Sequence, residues 1–174
     1  MKKAICLAVV MVMMMAVAGV ASAENKIGVG YVFEGSDKAL SLVGELSLSD
    51  RLAFGFDYIG WDPSSTELLG KLTLQNVGPA SLGAFGGVEL VQGETNNIFK
   101  IGVFGQQAIS PEIAVYGRAG MAFRSGASNS WVEALGGLKA NVMSPFWLSG
   151  EVLYSGGTGA DSGTQFRVLV GMNF

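Results

Sequence analysis

Apolar and polar residues alternate along most of this chain, and the pattern is clearest in the last segment, residues 165–174. Every second position of that segment is apolar: Phe166, Val168, Val170, Met172 and Phe174. A repeat of two residues is typical of a β-strand, because successive side chains of a strand point to opposite faces. The pattern therefore predicts a β-strand that runs to the last residue.

The same alternation recurs in nine further segments, which are separated by residues that favour turns, and no long helical repeat follows residue 23. Strands of about 9–11 residues are long enough to cross a bilayer at a tilt. The ten predicted strands are Lys26–Phe33, Ala39–Leu48, Leu52–Trp61, Glu67–Gln75, Ser81–Val91, Ile98–Gln106, Ile113–Arg124, Trp131–Val142, Phe146–Tyr154 and Gln165–Phe174.

The two faces of these strands differ in charge. One face carries no charged residue in any of the ten segments. The other face combines many glycines with seven bases and six acids: Lys26, Glu45, Asp57, Glu67, Lys71, Glu89, Lys100, Arg118, Arg124, Glu133, Lys139, Glu151 and Arg167.

Two closed barrels satisfy this pattern. In a soluble, lipocalin-like barrel the apolar face would line the interior and hold an apolar ligand. In a membrane-spanning barrel the apolar face meets lipid, and the charged face lines the lumen. The membrane barrel is favoured because the charged face also carries glycines and the aromatic residues Phe85, Phe104 and Trp147, which suit a crowded interior. Charged residues make up only 14% of the chain, whereas soluble domains average about 25%.

Outward aromatic residues gather at one set of predicted strand ends, where a membrane barrel carries a girdle at the interface between lipid and water. The predicted girdle consists of Tyr31, Phe33, Tyr58, Phe99, Phe123, Tyr154 and Phe166. Two further aromatic residues, Phe146 and Phe174, mark the opposite ends of the strands.

The alternation along the chain, together with the terminal Phe174, resembles the small outer-membrane β-barrel proteins of bacteria, the porin-like class, without identifying a subfamily. The resemblance implies an all-β fold: a closed, antiparallel, up-and-down transmembrane barrel of ten strands, with eight as the alternative. It also implies a monomer in the outer-membrane lipid of a diderm bacterium. Periplasmic chaperones and the barrel assembly machinery are the expected partners during biogenesis, and Phe174 is expected to form part of the assembly signal.

The N-terminal residues 1–23 have the three parts of a cleaved signal peptide: a charged start at Lys2 and Lys3, an apolar run, and the sequence Ala21-Ser22-Ala23. The expected mature barrel is residues 24–174. Its nine bases against fourteen acids give a net charge of −5, and no basic patch favours nucleic acid. The only cysteine, Cys6, lies in the signal segment, so no disulfide is expected.

The chain contains no histidine. Sites in which a histidine acts as general base or orients a nucleophile are therefore excluded, and zinc sites without histidine or cysteine are disfavoured. Asp57 and Glu67 are predicted to face inward on adjacent strands near Lys71. Two carboxylates can serve a glycosidase, but a structural charge network is favoured because bases lie among the acids throughout. The prediction is a protein that is not an enzyme and has no cofactor or metal.

Inward charges are expected to pair across neighbouring strands. Counting from the hairpins places Glu89 opposite Lys100, and places Glu151 near both Arg167 and Lys139. We expect Lys139, Glu151 and Arg167 to plug a narrow lumen. They belong to a wider charge network that also includes Glu89, Lys100, Asp57, Glu67, Lys71, Arg118 and Glu133. The many inward glycines argue the other way, because they leave room for a thread of water.

The pattern favours a structural barrel or a narrow pore for ions and small solutes. A soluble carrier of an apolar ligand stays open as an alternative. So does a surface interaction protein that acts through its short acidic outer loops. These loops are predicted at Glu34–Lys38, Asp62–Thr66, Gln92–Asn97, Ser125–Ser130 and Ser155–Gly163.

Overall fold

The computed structural model describes residues 25–126, 129–158 and 160–174. The signal peptide predicted at residues 1–23 lies outside these ranges. None of the described residues forms a helix long and apolar enough to cross a membrane. The described chain folds into ten strands: β1 (Lys26–Glu34), β2 (Asp37–Ser47), β3 (Leu52–Ile59), β4 (Ser65–Val77), β5 (Ala80–Val91), β6 (Ile98–Ala108), β7 (Ile113–Arg124), β8 (Ser130–Met143), β9 (Phe146–Thr158) and β10 (Ala160–Asn173).

Each strand pairs antiparallel with the strands before and after it in sequence, and β1 pairs with β10 to close the barrel. At this seam Lys26 faces Asn173 and Phe33 faces Phe166. Closure leaves no strand edge with unpaired backbone groups, which is what lets strands lie in hydrocarbon. The prediction of a ten-stranded up-and-down barrel is confirmed, and the eight-stranded alternative is wrong.

The predicted strands differ from the observed ones chiefly between β9 and β10. We expected an outer loop at Ser155–Gly163, but β9 continues to Thr158 and β10 begins at Ala160, so this prediction is wrong. Gly163 pairs with Ser155 and Ala160 with Gly157. Glycine is depleted in strands. Here the backbone pairing of β9 with β10 continues through these glycine and serine residues.

The side chains divide between the two faces as the alternation predicts. Large apolar side chains cover the outside; Ile101 and Val103, for example, are each 62% exposed. Most charged residues of the strands point into the lumen, where Asp57, Glu67 and Arg167 are buried. A lipocalin-like barrel needs the opposite arrangement. The structure therefore has the distribution of a transmembrane barrel, with apolar side chains on the outside and charged side chains in the lumen.

Aromatic rings in the lumen lie on pairs of glycines. Gly28 of β1 faces Gly171 of β10, and the Trp147 ring lies against both of them. In the same way Phe85 lies against Gly102 and Gly120, which face each other on β6 and β7. At these positions the rings fill the space that glycine leaves. The expectation that inward glycines keep a thread of water open is therefore wrong there.

We predict that Gly171→Ala destabilises the barrel by about 1–3 kcal/mol, the usual cost of overpacking. A Cβ atom at Gly171 would clash with the Trp147 ring and with the carbonyl oxygen of Ile27, and the backbone oxygen cannot move aside as a side chain can. Urea unfolding of the barrel in lipid vesicles measures the change.

Gly150→Ala is the matched control, because a Cβ atom at Gly150 would meet no described atom within 4 Å. We expect its free energy of unfolding to stay within about 0.5 kcal/mol of the parent. Equal stability of the two variants would show that the packing of Trp147 on glycine is not a constraint.

Candidate functional site

Arg167 of β10 is the centre of an ion network across the lumen and is only 3% exposed. Its Nε donates to Glu151 Oε2 at 2.6 Å, and Glu151 faces it from the neighbouring strand β9. Its Nη1 donates to Asp57 of β3, which lies three strands away around the barrel, and to Ser41 Oγ at 3.3 Å. Glu151 also accepts a hydrogen bond from the Tyr116 hydroxyl. These contacts span the lumen because they join β3 and β7 to β9 and β10.

A second group of charges lies beside the first. Arg118 of β7 donates two hydrogen bonds to Glu67 of β4, at 3.1 and 2.7 Å, the bidentate geometry that gives arginine strong carboxylate pairs. Lys100 Nζ lies 2.6 Å from Glu133, 2.8 Å from Glu89 and 3.4 Å from Glu67. We call the eight residues of the two groups the lumen network: Asp57, Glu67, Glu89, Lys100, Arg118, Glu133, Glu151 and Arg167.

A separate ion group lies near the end of the barrel that carries the chain termini, here called the inner end. Glu45 contacts Lys26 Nζ at 2.8 Å and also contacts Lys71. Lys71 therefore pairs with Glu45 rather than with the predicted neighbours Asp57 and Glu67. Those two residues do face each other on β3 and β4. Their carboxylates each bind a different arginine, Asp57 binding Arg167 and Glu67 binding Arg118.

One of the predicted pairings differs in register from the structure. Lys100 faces Gly87, and Glu89 faces Ile98, so the expectation that Glu89 lies directly opposite Lys100 is wrong by two residues. The ion pair forms on the diagonal instead. On β8 it is Gly137 that faces Glu151.

Lys139, which was expected to lie near Glu151, faces Ser149 on β9. The absence of a side chain at Gly137 leaves room for Tyr116, whose ring lies against it. Sequence reasoning missed Tyr116 and Ser41 as members of the site. Tyr116 lies two residues before the inward Arg118 on β7, so the alternation would have placed it in the lumen.

Two cavities occupy the lumen. The outer cavity, about 270 Å³, lies at the end away from the termini and is lined by Asp57, Ile59, Trp61, Glu67, Glu89, Lys100, Arg118, Glu133 and neighbouring residues. The inner cavity, about 440 Å³, is lined by Lys26, Glu45, Arg51, Lys71, Lys139, Trp147, Glu151, Arg167 and others. Asp57, Arg118 and Leu135 line both cavities. The side chains of the lumen network therefore stand between two cavities that reach opposite ends of the barrel.

The predicted girdle residues lie on the outer face, all but Tyr58 more than a third exposed. Phe33 faces Phe166, and Phe99 faces Phe123. At the inner end the backbone of Phe174 closes the seam: its N–H donates to Asn25 at 2.9 Å, and its carbonyl accepts from the Asn25 N–H at 3.3 Å.

The described part of the chain contains no group of three or more acidic, histidine or cysteine side chains arranged to hold a metal ion. The carboxylates of the lumen network are engaged with arginine, lysine, tyrosine and tryptophan side chains. Trp131 Nε1, for example, donates to Glu133 at 2.9 Å. The site is an ion network rather than a set of free acids and bases.

No protein-family model matches the chain, and no curated protein matches it. Solved structures do. The KdgM porin aligns with a TM-score of 0.60 and 13% identity, over 86% of this chain and 99% of the porin. The NanC porin aligns with a TM-score of 0.57 and 10% identity, over 86% and 99%. Ail of Yersinia pestis in a phospholipid nanodisc aligns with a TM-score of 0.51 and 11% identity, over 88% and 100%. The fold is that of the outer-membrane β-barrel proteins.

We predict that Arg167→Ala lowers the free energy of unfolding by about 3–5 kcal/mol, because it leaves Asp57 and Glu151 buried without their cation. Urea unfolding in vesicles measures the loss. Arg124→Ala is the matched control, since Arg124 pairs with Glu94 at 3.1 Å where both side chains are about a third exposed. Such a pair contributes about 0–1 kcal/mol. A loss of similar size in both variants would contradict a special role for Arg167.

Proposed function

We propose that this protein is a non-enzymatic barrel of the bacterial outer membrane that acts as a narrow pore for ions and small solutes, closed at rest by the lumen network. The observation that carries the proposal is the division of the lumen. Two cavities reach the two ends, and between them stand hydrogen-bonded side chains rather than a packed apolar core. Side chains can change rotamer within the lumen while the hydrogen bonds of the barrel wall stay intact.

The location in the outer membrane is supported by the apolar outer face, the outward aromatic residues and the fold shared with porins. A signal peptide at residues 1–23 would export the chain, and periplasmic chaperones and the barrel assembly machinery would insert it. Phe174 is proposed as part of the signal that this machinery reads. The barrel is proposed to be a monomer surrounded by lipid, since closure leaves no strand edge for a partner to extend.

The competing functions have less support. A soluble carrier of an apolar ligand needs an apolar interior, and this interior is charged. A hydrolase of the outer membrane that relies on a histidine cannot be built from a chain without histidine. A surface interaction protein would rely on its outer loops, and the longest predicted loop is mostly strand.

The KdgM porin has been solved in complex with disordered oligogalacturonate, which is a polyanion. The outer cavity of this chain has more acids than bases in its lining. We therefore propose that the solutes of this pore are not polyanionic.

In planar-bilayer recording, we predict small conductance for the parent protein and larger or noisier conductance for Glu151→Ala. Glu151 accepts hydrogen bonds from both Arg167 and Tyr116, so its removal frees Tyr116 and leaves Arg167 with Asp57 and Ser41 as its remaining partners. Glu94→Ala removes a carboxylate at the outer rim and serves as the control, with parental conductance expected. Large, steady conductance in the parent protein, unchanged in Glu151→Ala, would refute the closed state.

We also predict that Phe174→Ala lowers the amount of folded barrel in the outer membrane, measured by fractionation and by heat-modifiable migration on a gel. Phe146→Ala is the control, because Phe146 has nearly the same exposure, 47% against 48%. Loss of an aromatic anchor alone costs about 1–3 kcal/mol or less, so Phe146→Ala should insert normally. Equal insertion of both variants would show that Phe174 is ordinary packing.

A further inference from the structure

The two cavities carry opposite formal charge. The lining of the outer cavity holds four carboxylates, Asp57, Glu67, Glu89 and Glu133, against Lys100 and Arg118, which leaves −2. The lining of the inner cavity holds six bases against four acids, which leaves +2. Buried charge without compensation is costly. A cation that enters the outer cavity is therefore attracted there, and the inner half of the lumen repels it.

Asp57 offers a specific contact for such a cation. Its residue is 8% exposed, and its Oδ2 binds Arg167. Its Oδ1 is buried and accepts no hydrogen bond from any residue that the structure describes. The indole of Trp61 lines the same cavity, and an aromatic face attracts cations. Buried polar atoms are nearly always hydrogen-bonded in native proteins, so the unpaired acceptor Asp57 Oδ1 points to a ligand that donates to it.

The shape and lining of the cavity favour an organic cation over a metal ion. Beside the carboxylates the lining includes Trp61 and the aliphatic side chains Ile59, Val91, Leu135 and Leu153. Within the described ranges no acidic cluster has the arrangement of a metal site. The cavity has a volume of about 270 Å³. That space suits an alkyl chain of a few carbons with a charged nitrogen at each end.

We propose that the outer cavity is a binding site for small alkylammonium or guanidinium solutes, held by Asp57 Oδ1 and by the carboxylates around Lys100. This inference rests on the proposed function: it names the class of solute that the pore takes up. The pore function also sets the end of the barrel from which that solute enters. Binding itself requires no conductance. A nitrogen on Oδ1 shares the Asp57 carboxylate with Arg167, so the bound solute lies directly against the network that closes the lumen.

The test is calorimetric titration of the full barrel in nanodiscs of zwitterionic lipid with three four-carbon probes: 1,4-diaminobutane, 1,4-butanediol and succinate. These probes have similar length and carry charges of about +2, 0 and −2 at neutral pH. We expect saturable binding of 1,4-diaminobutane alone. Tryptophan fluorescence gives a second readout, because Trp61 lines the outer cavity and Trp131 donates to Glu133.

Glu89→Gln should weaken the binding of 1,4-diaminobutane about tenfold, or about 1.4 kcal/mol. This variant removes one carboxylate while Lys100 keeps Glu67 and Glu133 as partners. Asp50→Asn is the matched control: it removes one carboxylate from the inner cavity, at an exposed turn, and should leave affinity unchanged. Heat-modifiable migration verifies that each variant is folded. If Glu89→Gln fails to fold, Trp61→Phe is used instead, and weaker binding is again expected.

Three results would overturn the inference: no saturable binding of 1,4-diaminobutane to the folded parent, equal binding of the diol or succinate, or an equal loss of affinity in Glu89→Gln and Asp50→Asn. Small conductance without amine binding would refute the cation site and leave the closed pore in place. Amine binding to a barrel with large, steady conductance would refute the closed pore and leave the cation site in place.

Discussion

The requirement that every backbone group find a partner inside the barrel wall governs the rest of this structure. A strand in hydrocarbon cannot use water to satisfy its N–H and C=O groups, so β1 must return to β10. Backbone hydrogen bonds between Asn25 and Phe174 continue that seam beyond the last strand residue. Once the wall is closed, half of the side chains must face lipid and half must fill the lumen, and the period of two in the sequence is the result.

Filling the lumen creates a second problem, because its side chains include most of the strand charges. The chain solves it by pairing acids with bases. Arg167 lies between Glu151 and Asp57, and Lys100 lies among three carboxylates. Buried pairs of this kind contribute little net stability relative to apolar packing. In the proposed pore, their value is that they close the lumen with groups whose hydrogen bonds water can replace.

The sequence predicts which way a side chain points more reliably than which side chain it meets. Alternation alone puts Asp57, Glu151 and Arg167 in the lumen, and strand neighbours such as Arg167 and Glu151 follow from counting along a hairpin. The contact between Arg167 and Asp57 does not follow, because residues three strands apart meet only through the tilt and stagger of the closed wall. The diagonal pair of Glu89 and Lys100 and the extended hairpin of β9 and β10 were missed for a related reason. Local turn residues suggest where a strand stops, but pairing with a neighbour decides it.

The position of Trp147 has a consequence for how the barrel assembles. Its ring rests on Gly171 of β10 and Gly28 of β1, two residues on opposite sides of the seam. Half of that surface is missing until the first and last strands have met, so the indole reaches its buried place, only 4% exposed, when the wall becomes a cylinder. Trp147, a side chain of β9, therefore stabilises the pairing of β1 with β10 and keeps the two strands in a single register.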